Sequence, residues 1–130
     1  MTGIDTNILA RFFTQDDPDQ SRRADEFLQS LTVESPGFLS LVSLVELLWL
    51  LRSRYGTTKA QWIGYVKLLL SSSELVLESQ AAVVQAVHRY ASGKADFADC
   101  LIERVGHLAG CRHTVTFDGG ACKHAGMRLL

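Results

Sequence analysis

Short apolar runs alternate along this chain with longer segments in which apolar residues recur every three or four positions. The first short run ends at Asp5. The apolar residues after it have helical spacing: Ile8, Leu9, Phe12 and Phe13. This pattern predicts a strand that ends on a carboxylate and leads directly into a helix. In an open parallel sheet, ligands bind beyond the carboxyl ends of the strands, so we expect Asp5 to lie at a binding crevice.

The same alternation continues to the end of the chain. Further strands are predicted at Phe38–Val42, Glu74–Glu78, His113–Phe117 and Gly126–Leu130. Helices between them are predicted to begin at or just after Asp17, Ser43, Thr57–Thr58, Gln80 and Asp96. Strands that alternate with helices through short connections predict an α/β domain with helices on both faces of a parallel sheet.

The composition is that of one globular domain over residues 1–130, with 47% hydrophobic and 21% charged residues. A chain of this size buries about two-thirds of the surface that its unfolded form exposes, which is enough for a core without disulfides. No run approaches the ~18 apolar residues of a membrane span. The start shows no basic segment followed by an apolar core, so we expect a cytoplasmic protein with no membrane partner.

Charge and motifs exclude several classes of protein. The net charge of −1 argues against a protein that holds nucleic acid mainly through a basic surface. The nucleotide-binding motifs G-x-x-x-x-G-K-[ST] and G-x-G-x-x-G are absent. None of the four histidines stands in a recognisable nucleophile setting, which disfavours a Ser-His or Cys-His hydrolase.

The cysteines are three in number, and we expect them to be reduced thiols. Two C-x-H pairs, Cys111 with His113 and Cys122 with His124, leave zinc binding as an alternative. Their spacing matches no common zinc motif, and a chain with a core of this size does not need zinc. We therefore do not favour a zinc site.

Four acids stand at positions that an α/β domain brings to one edge of its sheet. Asp5 and Asp118 follow apolar strands, and Glu46 and Asp99 lie in the first turns of predicted helices. The carboxyl ends of parallel strands and the starts of the following helices share an edge, so the four carboxylates are expected to converge. Clustered carboxylates repel one another unless a cation lies between them. Oxygen ligands without histidine suit Mg²⁺ or Mn²⁺ rather than zinc.

Each acid also has a purely structural interpretation. Glu46 could complete a capping box with Ser43, and Asp99 could interact with the helix dipole. Asp118 could be a turn residue before Gly119–Gly120. Asp5 is the hardest to explain in this way, because a carboxylate that closes a core strand needs a partner or a function.

The acids stand in four short motifs whose order and spacing resemble those of the PIN-domain nucleases. The motifs are Gly3–Leu9, Ser43–Leu47, Asp96–Ile102 and Thr116–Asp118. Their spacing, over essentially the whole chain, is most similar to that of VapC-type toxins of toxin–antitoxin pairs. The resemblance implies a three-layer α/β/α PIN-like fold with a central, mainly parallel sheet.

The resemblance also implies an activity. It implies a Mg²⁺- or Mn²⁺-dependent endoribonuclease, inhibited by a protein antitoxin and usually homodimeric. By position, the acidic quartet of the family is matched by Asp5, Glu46, Asp99 and Asp118. Polar residues that support it are matched by Thr6, Asn7 and Thr116, while Asp96 is expected to cap its helix with a possible role beside Asp99. Candidate phosphate contacts are Lys94, Arg11, Arg22 and Arg23.

The bound ion would lower the pKa of a coordinated water and orient it at a phosphodiester. Asp5 and Asp99 are expected to be its primary ligands. Glu46 and Asp118 are expected to bind a second ion, hold waters or help to deprotonate the nucleophile.

Two other functions remain open. One is a PIN-type nuclease of RNA maturation or DNA processing. The other is a non-enzymatic signalling or interaction module with an acidic Mg²⁺ pocket. A receiver-like module should carry a lysine at a late strand end, where this chain has Thr116–Asp118.

The apolar segment after Glu46 indicates a surface of this chain that binds a protein partner. It is apolar nearly all round, with Leu47, Leu48, Trp49 and Leu51, and Trp62 and Ile63 follow it in the next helix. A helix of this kind lies in the core or at an interface. We expect an exposed groove or dimer patch here, open to an amphipathic antitoxin segment.

Overall fold

A computed structural model of the protein describes residues 1–130. The strands are β1 (Thr2–Gly3), β2 (Gly37–Leu39), β3 (Leu75–Leu77), β4 (Val115–Thr116) and β5 (Arg128–Leu129). The helices are α1 (Thr6–Thr14), α2 (Pro18–Ser30), α3 (Leu41–Tyr55), α4 (Lys59–Ser71), α5 (Gln80–Ser92), α6 (Phe97–Leu108) and α7 (Gly119–Ala125). These elements divide into two compact units, Met1–Glu78 and Ser79–Leu130. The prediction of a single domain stays a prediction.

The first unit is built on a parallel sheet in the order β1-β2-β3. Gly3 pairs with Phe38, and Phe38 pairs with Val76. The central strand begins at a glycine because a Cβ at Gly37 would lie 2.5 Å from Ile4 Cδ1. Any side chain there would displace the buried Ile4, the residue that directly precedes Asp5.

The predicted helix starts are largely confirmed. The Asp17 carboxylate accepts a hydrogen bond from the Gln20 N–H at 2.9 Å, with Pro18 in the first turn of α2. Thr58 and Gln61 form a capping box at α4. Such caps satisfy N–H groups that have no partner within the helix.

The predicted start of α3 is wrong by two to three residues. The strand β2 ends at Leu39 rather than Val42, and α3 begins at Leu41. The cap is Ser40, whose Oγ accepts a hydrogen bond from the Ser43 N–H at 3.1 Å. Short apolar runs fit a strand or a helix equally well, which explains the error. Glu46 therefore lies in the second turn of α3 and does not complete a capping box.

Because Ser40 caps α3, its replacement is expected to destabilise the protein more than replacement of the nearby Ser43. Ser40→Ala is expected to lower the free energy of unfolding by about 1 kcal/mol, because the Ser43 N–H loses its acceptor. Ser43→Ala removes a hydroxyl that contacts Ser40 Oγ at 3.2 Å but does not cap the helix. Urea denaturation of both variants checks this, and a larger loss for Ser43→Ala would contradict the assignment of the cap.

Most of the residues predicted to form a surface for a partner are buried in the core of the first unit. Leu47, Leu48, Leu51 and Trp62 are buried, whereas Trp49 is 66% exposed. The predicted patch is therefore wrong as a continuous surface. A helix that is apolar nearly all round gives no indication of which side faces the core, so the sequence could not separate Trp49 from its neighbours.

In the second unit α5 packs on α6. The rings of Tyr90 and Phe97 meet edge to face with their centroids 5.7 Å apart. The predicted last strand is confirmed, because β5 pairs with β4 in parallel and Val115 lies opposite Arg128. Every strand pair in the structure is parallel. No helix is both long and apolar enough to span a membrane.

The prediction of a turn at Gly119–Gly120 is wrong. These residues open α7, which ends at Gly126 with φ +78°. Asp118 precedes the helix and its Oδ1 accepts a hydrogen bond from the Gly120 N–H at 2.8 Å. A pair of glycines is typical of a turn, but this cap stabilises a helix of seven residues.

Candidate metal-dependent nuclease site

Asp5 lies at the junction of β1 and α1 in the first unit. Its Oδ1 accepts a hydrogen bond from the Thr6 N–H at 2.8 Å, so the carboxylate caps α1. The side chain is exposed to solvent, although Ile4 before it is buried. The expectation that Asp5 needs a partner or a function is met structurally by the Thr6 N–H, and this capping role was not predicted from the sequence. The exposed carboxylate remains open to a ligand.

The neighbouring Thr6 has a buried hydroxyl without a partner. The residue is 4% exposed, and its Oγ1 makes no hydrogen bond in the structure. Leaving a buried hydroxyl unpaired costs free energy, so such groups generally have a function or a bound partner. Asn7, the next residue, is exposed.

Glu46 is the other acid of the quartet in the first unit. It lies on the exposed side of α3 and makes no salt bridge or hydrogen bond. Since Ser40 caps the helix, the structural interpretation of Glu46 as a capping residue no longer holds. Its carboxylate is free to accept a proton or to bind a cation.

In the second unit the Asp99 carboxylate is affected by two other acids. The pKa of Asp99 is raised, first by burial and then by the negative charges of Asp96 and Asp118. Asp96 caps α6 as predicted, with its Oδ1 3.1 Å from the Ala98 N–H. The Asp118 N–H donates a hydrogen bond to Thr116 Oγ1 at 3.0 Å, so Thr116 helps to fix the backbone at the acid.

The acids of each unit are of the chemical type that binds a hard divalent cation. All candidate ligands are oxygen atoms, which Mg²⁺ and Mn²⁺ prefer. The repulsion at Asp99 is of the kind that a cation relieves, and the Thr6 hydroxyl has no other partner. No three His, Cys, Asp or Glu side chains are arranged closely enough to enclose a metal ion by themselves.

Comparison with protein families decides the identity of the fold. The model of the PIN domain matches residues 4–127 and so runs through both units. The chain belongs to the PIN-domain family. PIN domains are generally nucleases that use divalent metal ions, and their helices surround a parallel sheet. The predicted family and α/β/α fold class are therefore confirmed. Comparisons with curated proteins and with solved structures give no significant match.

Three of the four predicted phosphate contacts of this PIN domain are already paired with acids. Arg11 Nη1 lies 2.9 Å from Asp16, and Arg22 contacts both Asp19 and Glu26. Arg23 lies 3.6 Å from Asp19. Lys94 is exposed and makes no salt bridge. Of the four, Lys94 is the one whose charge is not offset by a neighbouring acid.

The hydrogen bonds that Asp16 accepts predict that the stability of the protein depends on pH. The pKa of Asp16 is lowered to about 2 by hydrogen bonds from Tyr55, Thr14 and Arg11. A depressed carboxyl pKa stabilises the fold above the ordinary value of 3.8, and this stabilisation is lost as the pH falls through about 2. In urea denaturation, Asp16→Asn is expected to be less stable than the wild type at pH 6 and to approach it near pH 2. A difference that does not change with pH would contradict this.

A network of charged residues that contacts the end of α7 was not predicted from the sequence. Glu103 is buried on α6, and its Oε1 accepts a hydrogen bond from Arg104 Nη2 at 2.7 Å. Arg89 Nη1 lies 3.6 Å from Glu103 Oε2 and donates a hydrogen bond to the Ala125 carbonyl at 2.6 Å. Arg89 thus binds the last residue of α7, the helix that Asp118 caps at its other end. No sequence signal indicated this, because the bond from Arg89 is to backbone and adjacent residues on a helix do not normally pair.

The three cysteines are free, with Cys100 buried, Cys122 half-buried and Cys111 exposed. Burial raises the pKa of the Cys100 thiol, so it is a poor nucleophile.

Proposed function

We propose that the protein is a Mg²⁺- or Mn²⁺-dependent endoribonuclease and the toxin of a type II toxin–antitoxin pair in the cytoplasm. The observation that carries the metal-dependent chemistry is the match of the PIN-domain model to residues 4–127, and the raised pKa of Asp99, caused by burial and then by the charges of Asp96 and Asp118, supports it. The likeness of the four motifs to those of VapC-type toxins supports the finer assignment to RNA and to a toxin.

Asp5 of the first unit and Asp99 of the second are the proposed primary metal ligands, because their motifs are like those of the family to which the chain belongs. A divalent ion held by these carboxylates would supply positive charge and lower the pKa of a bound water. Glu46 is exposed and unpaired, so its carboxylate can take the proton of the attacking water. Asp118 is held from both sides, by Thr116 Oγ1 and by the Gly120 N–H, and can orient a water or a ligand without moving.

The partners are also proposals. We place apolar residues of an antitoxin in a cavity of about 220 Å³ in the first unit, because this cavity is walled mainly by leucines and opens to solvent. Its lining includes Leu9, Phe12, Leu28, Leu31, Leu68, Leu69 and Leu75. Leu68 is half exposed there, which gives an incoming side chain an apolar surface to cover. A homodimer is expected, and sedimentation tests it.

A growth assay of the expressing cells distinguishes a toxin from a nuclease of the same family that acts in RNA maturation or DNA processing. Expression of a toxin is expected to arrest growth, and co-expression of the product of a neighbouring gene is expected to restore it. Expression without any effect on growth would contradict the toxin assignment while leaving the nuclease assignment intact.

The nuclease activity is tested with Asp5→Asn. Asparagine caps helices about as well as aspartate, so the variant is expected to fold with nearly unchanged stability. Cleavage of single-stranded RNA in Mn²⁺ is expected to fall about 100-fold or more, because an anionic ligand is lost. The matched control is Asp17→Asn, the same change at the cap of α2, which is expected to retain activity. Full activity in Asp5→Asn would remove Asp5 from the mechanism.

A further inference from the structure

A cavity of about 350 Å³ lies beside the network of charged residues in the second unit. Helix α5 contributes Gln85, His88 and Arg89 to its wall, and their spacing of three and four residues places them on one side of the helix. Helix α6, which packs on α5, contributes Arg104. The remaining lining residue is Val84, so the wall carries two guanidinium groups and no carboxylate.

The two arginines share one buried acid. Glu103 is 8% exposed, and both of its carboxylate oxygens accept hydrogen bonds from Arg104. Arg89 lies farther from that carboxylate, at 3.6 Å, and donates its hydrogen bond to the uncharged Ala125 carbonyl. Glu103 therefore offsets the charge of Arg104 but not that of Arg89, which leaves a net positive charge at the cavity.

The contacts within the protein fix both guanidinium groups in place. Arg104 is 19% exposed, and its Nη1 also donates a hydrogen bond to Gln85 Oε1 at 3.3 Å. A side chain that is already held loses little conformational entropy when a ligand binds to it. Arg89 is 38% exposed and donates from Nη1, so its Nε and Nη2 face no competing acceptor in the protein.

A phosphate group suits this pair of arginines better than a carboxylate does. Guanidinium groups donate paired N–H bonds to both kinds of anion. A phosphate ester has three acceptor oxygens and up to two negative charges, so it can accept from two arginines at once. A carboxylate has two oxygens and a single charge. Pockets for small molecules measure roughly 300–1,000 Å³, so the cavity has room for more than a bare ion.

We propose that this cavity binds the phosphate group of a small molecule, and that Arg89 and Arg104 hold the phosphate. None of the candidate acids of the nuclease site lines the cavity, which lies within the second unit. This binding goes beyond the proposed nuclease function and does not depend on it.

Isothermal titration calorimetry of the full chain in chelator tests the proposal. Without a divalent ion, the carboxylates of the nuclease site repel phosphate and do not contribute to binding. The probes are ribose 5-phosphate and inorganic phosphate, and the controls at the same ionic strength are ribose and acetate. We expect saturable binding of ribose 5-phosphate, at least about tenfold weaker binding of acetate and no binding of ribose. Tighter binding of ribose 5-phosphate than of inorganic phosphate would identify the ligand as an ester, and equal affinities would identify it as the free ion.

Two variants change the arginines without removing their charge. Arg89→Lys and Arg104→Lys lose the planar group, so each is expected to weaken binding of ribose 5-phosphate at least about tenfold. A lysine still places a cation near Glu103, which avoids leaving a buried carboxylate unpaired. The matched control is Arg52→Lys, the same change at an exposed arginine of α3 that makes no salt bridge.

A third variant keeps both arginines. Val84→Trp adds bulk at the cavity wall, where Val84 is 47% exposed, and is expected to weaken binding to a similar extent. Its control is Ile102→Trp, since Ile102 is exposed on α6 and does not line the cavity. Circular dichroism of each variant shows whether the fold is retained.

The expected result is a loss of binding in the variants of Arg89, Arg104 and Val84, with Arg52→Lys and Ile102→Trp unchanged. Wild-type affinity in both arginine variants, equal binding of acetate, or no binding of either phosphate probe would overturn the proposal. Displacement of ribose 5-phosphate by a short oligoribonucleotide without terminal phosphates would also contradict it, because the site would then take the backbone of a nucleic acid.

Discussion

Asp99→Asn is expected to abolish metal-dependent RNA cleavage and, at the same time, to stabilise the protein in the absence of metal. Burial and the charges of Asp96 and Asp118 raise the pKa of Asp99, which means that its ionised form is unfavourable in the fold. A neutral amide of the same shape removes that repulsion. It also removes an anionic ligand, so cleavage is expected to fall about 100-fold or more.

Thermal unfolding in chelator and in Mn²⁺ measures both effects. In chelator the Tm of Asp99→Asn is expected to exceed that of the wild type. Mn²⁺ is expected to raise the Tm of the wild type, because an ion that binds only the folded state stabilises it, and to leave the variant unchanged. Asp17→Asn, the same substitution outside the acidic cluster, is the control and is expected to show no gain in chelator. A variant that is less stable in chelator and still cleaves RNA would contradict the role of Asp99.

Trp62→Ala is expected to cause the largest loss of stability, about 3–5 kcal/mol. Trp62 is fully buried in the first unit, and removal of a buried tryptophan loses its burial and leaves a cavity. The total stability of a small domain is about 5–15 kcal/mol, so the variant is expected to be marginally folded. Urea denaturation followed by circular dichroism provides the measurement.

Trp49→Ala is the matched control for that experiment. The two substitutions remove the same side chain, but Trp49 is mostly exposed, so its loss is expected to cost no more than about 0.5 kcal/mol. Similar losses from the two variants would show that the environments of the tryptophans are not as described. A loss for Trp49→Ala that grows with protein concentration would indicate an interface between copies.

Local signals predicted much of the fold. The caps at Asp17, Thr58 and Asp96 were predicted because each side chain acts on N–H groups two or three residues away. The parallel pairing of the strands was predicted from their alternation with helices. These features depend on neighbours in the sequence or on rules of connection that apply to all α/β folds.

Features decided by distant contacts were not predictable. The start of α3 at Leu41 depends partly on the Glu78 side chain, which accepts a hydrogen bond from the Leu41 N–H at 2.8 Å and lies 37 residues away. Trp49 is exposed and Trp62 is buried because of which side of each helix faces the core. An apolar pattern without a polar stripe does not contain that information.

Part of the candidate site was predicted, but from the resemblance of its motifs to a family rather than from local signals. Composition and spacing alone left each acid with a structural alternative, and the likeness of four motifs to a family selected among them. The family is confirmed, the structure removes the capping role of Glu46, and burial together with the charges of Asp96 and Asp118 raises the pKa of Asp99. The solvent exposure of Asp5 and the hold of Arg89 on α7 could be found only from the structure.

Titration with Mn²⁺, followed by the EPR signal of the free ion, tests most directly whether Asp5 and Asp99 are metal ligands. The samples are the wild type, Asp5→Asn from the first unit and Asp99→Asn from the second. The expected result is saturable binding by the wild type and at least about tenfold weaker binding by each variant. Wild-type affinity in either variant would contradict the role of the substituted residue as a metal ligand.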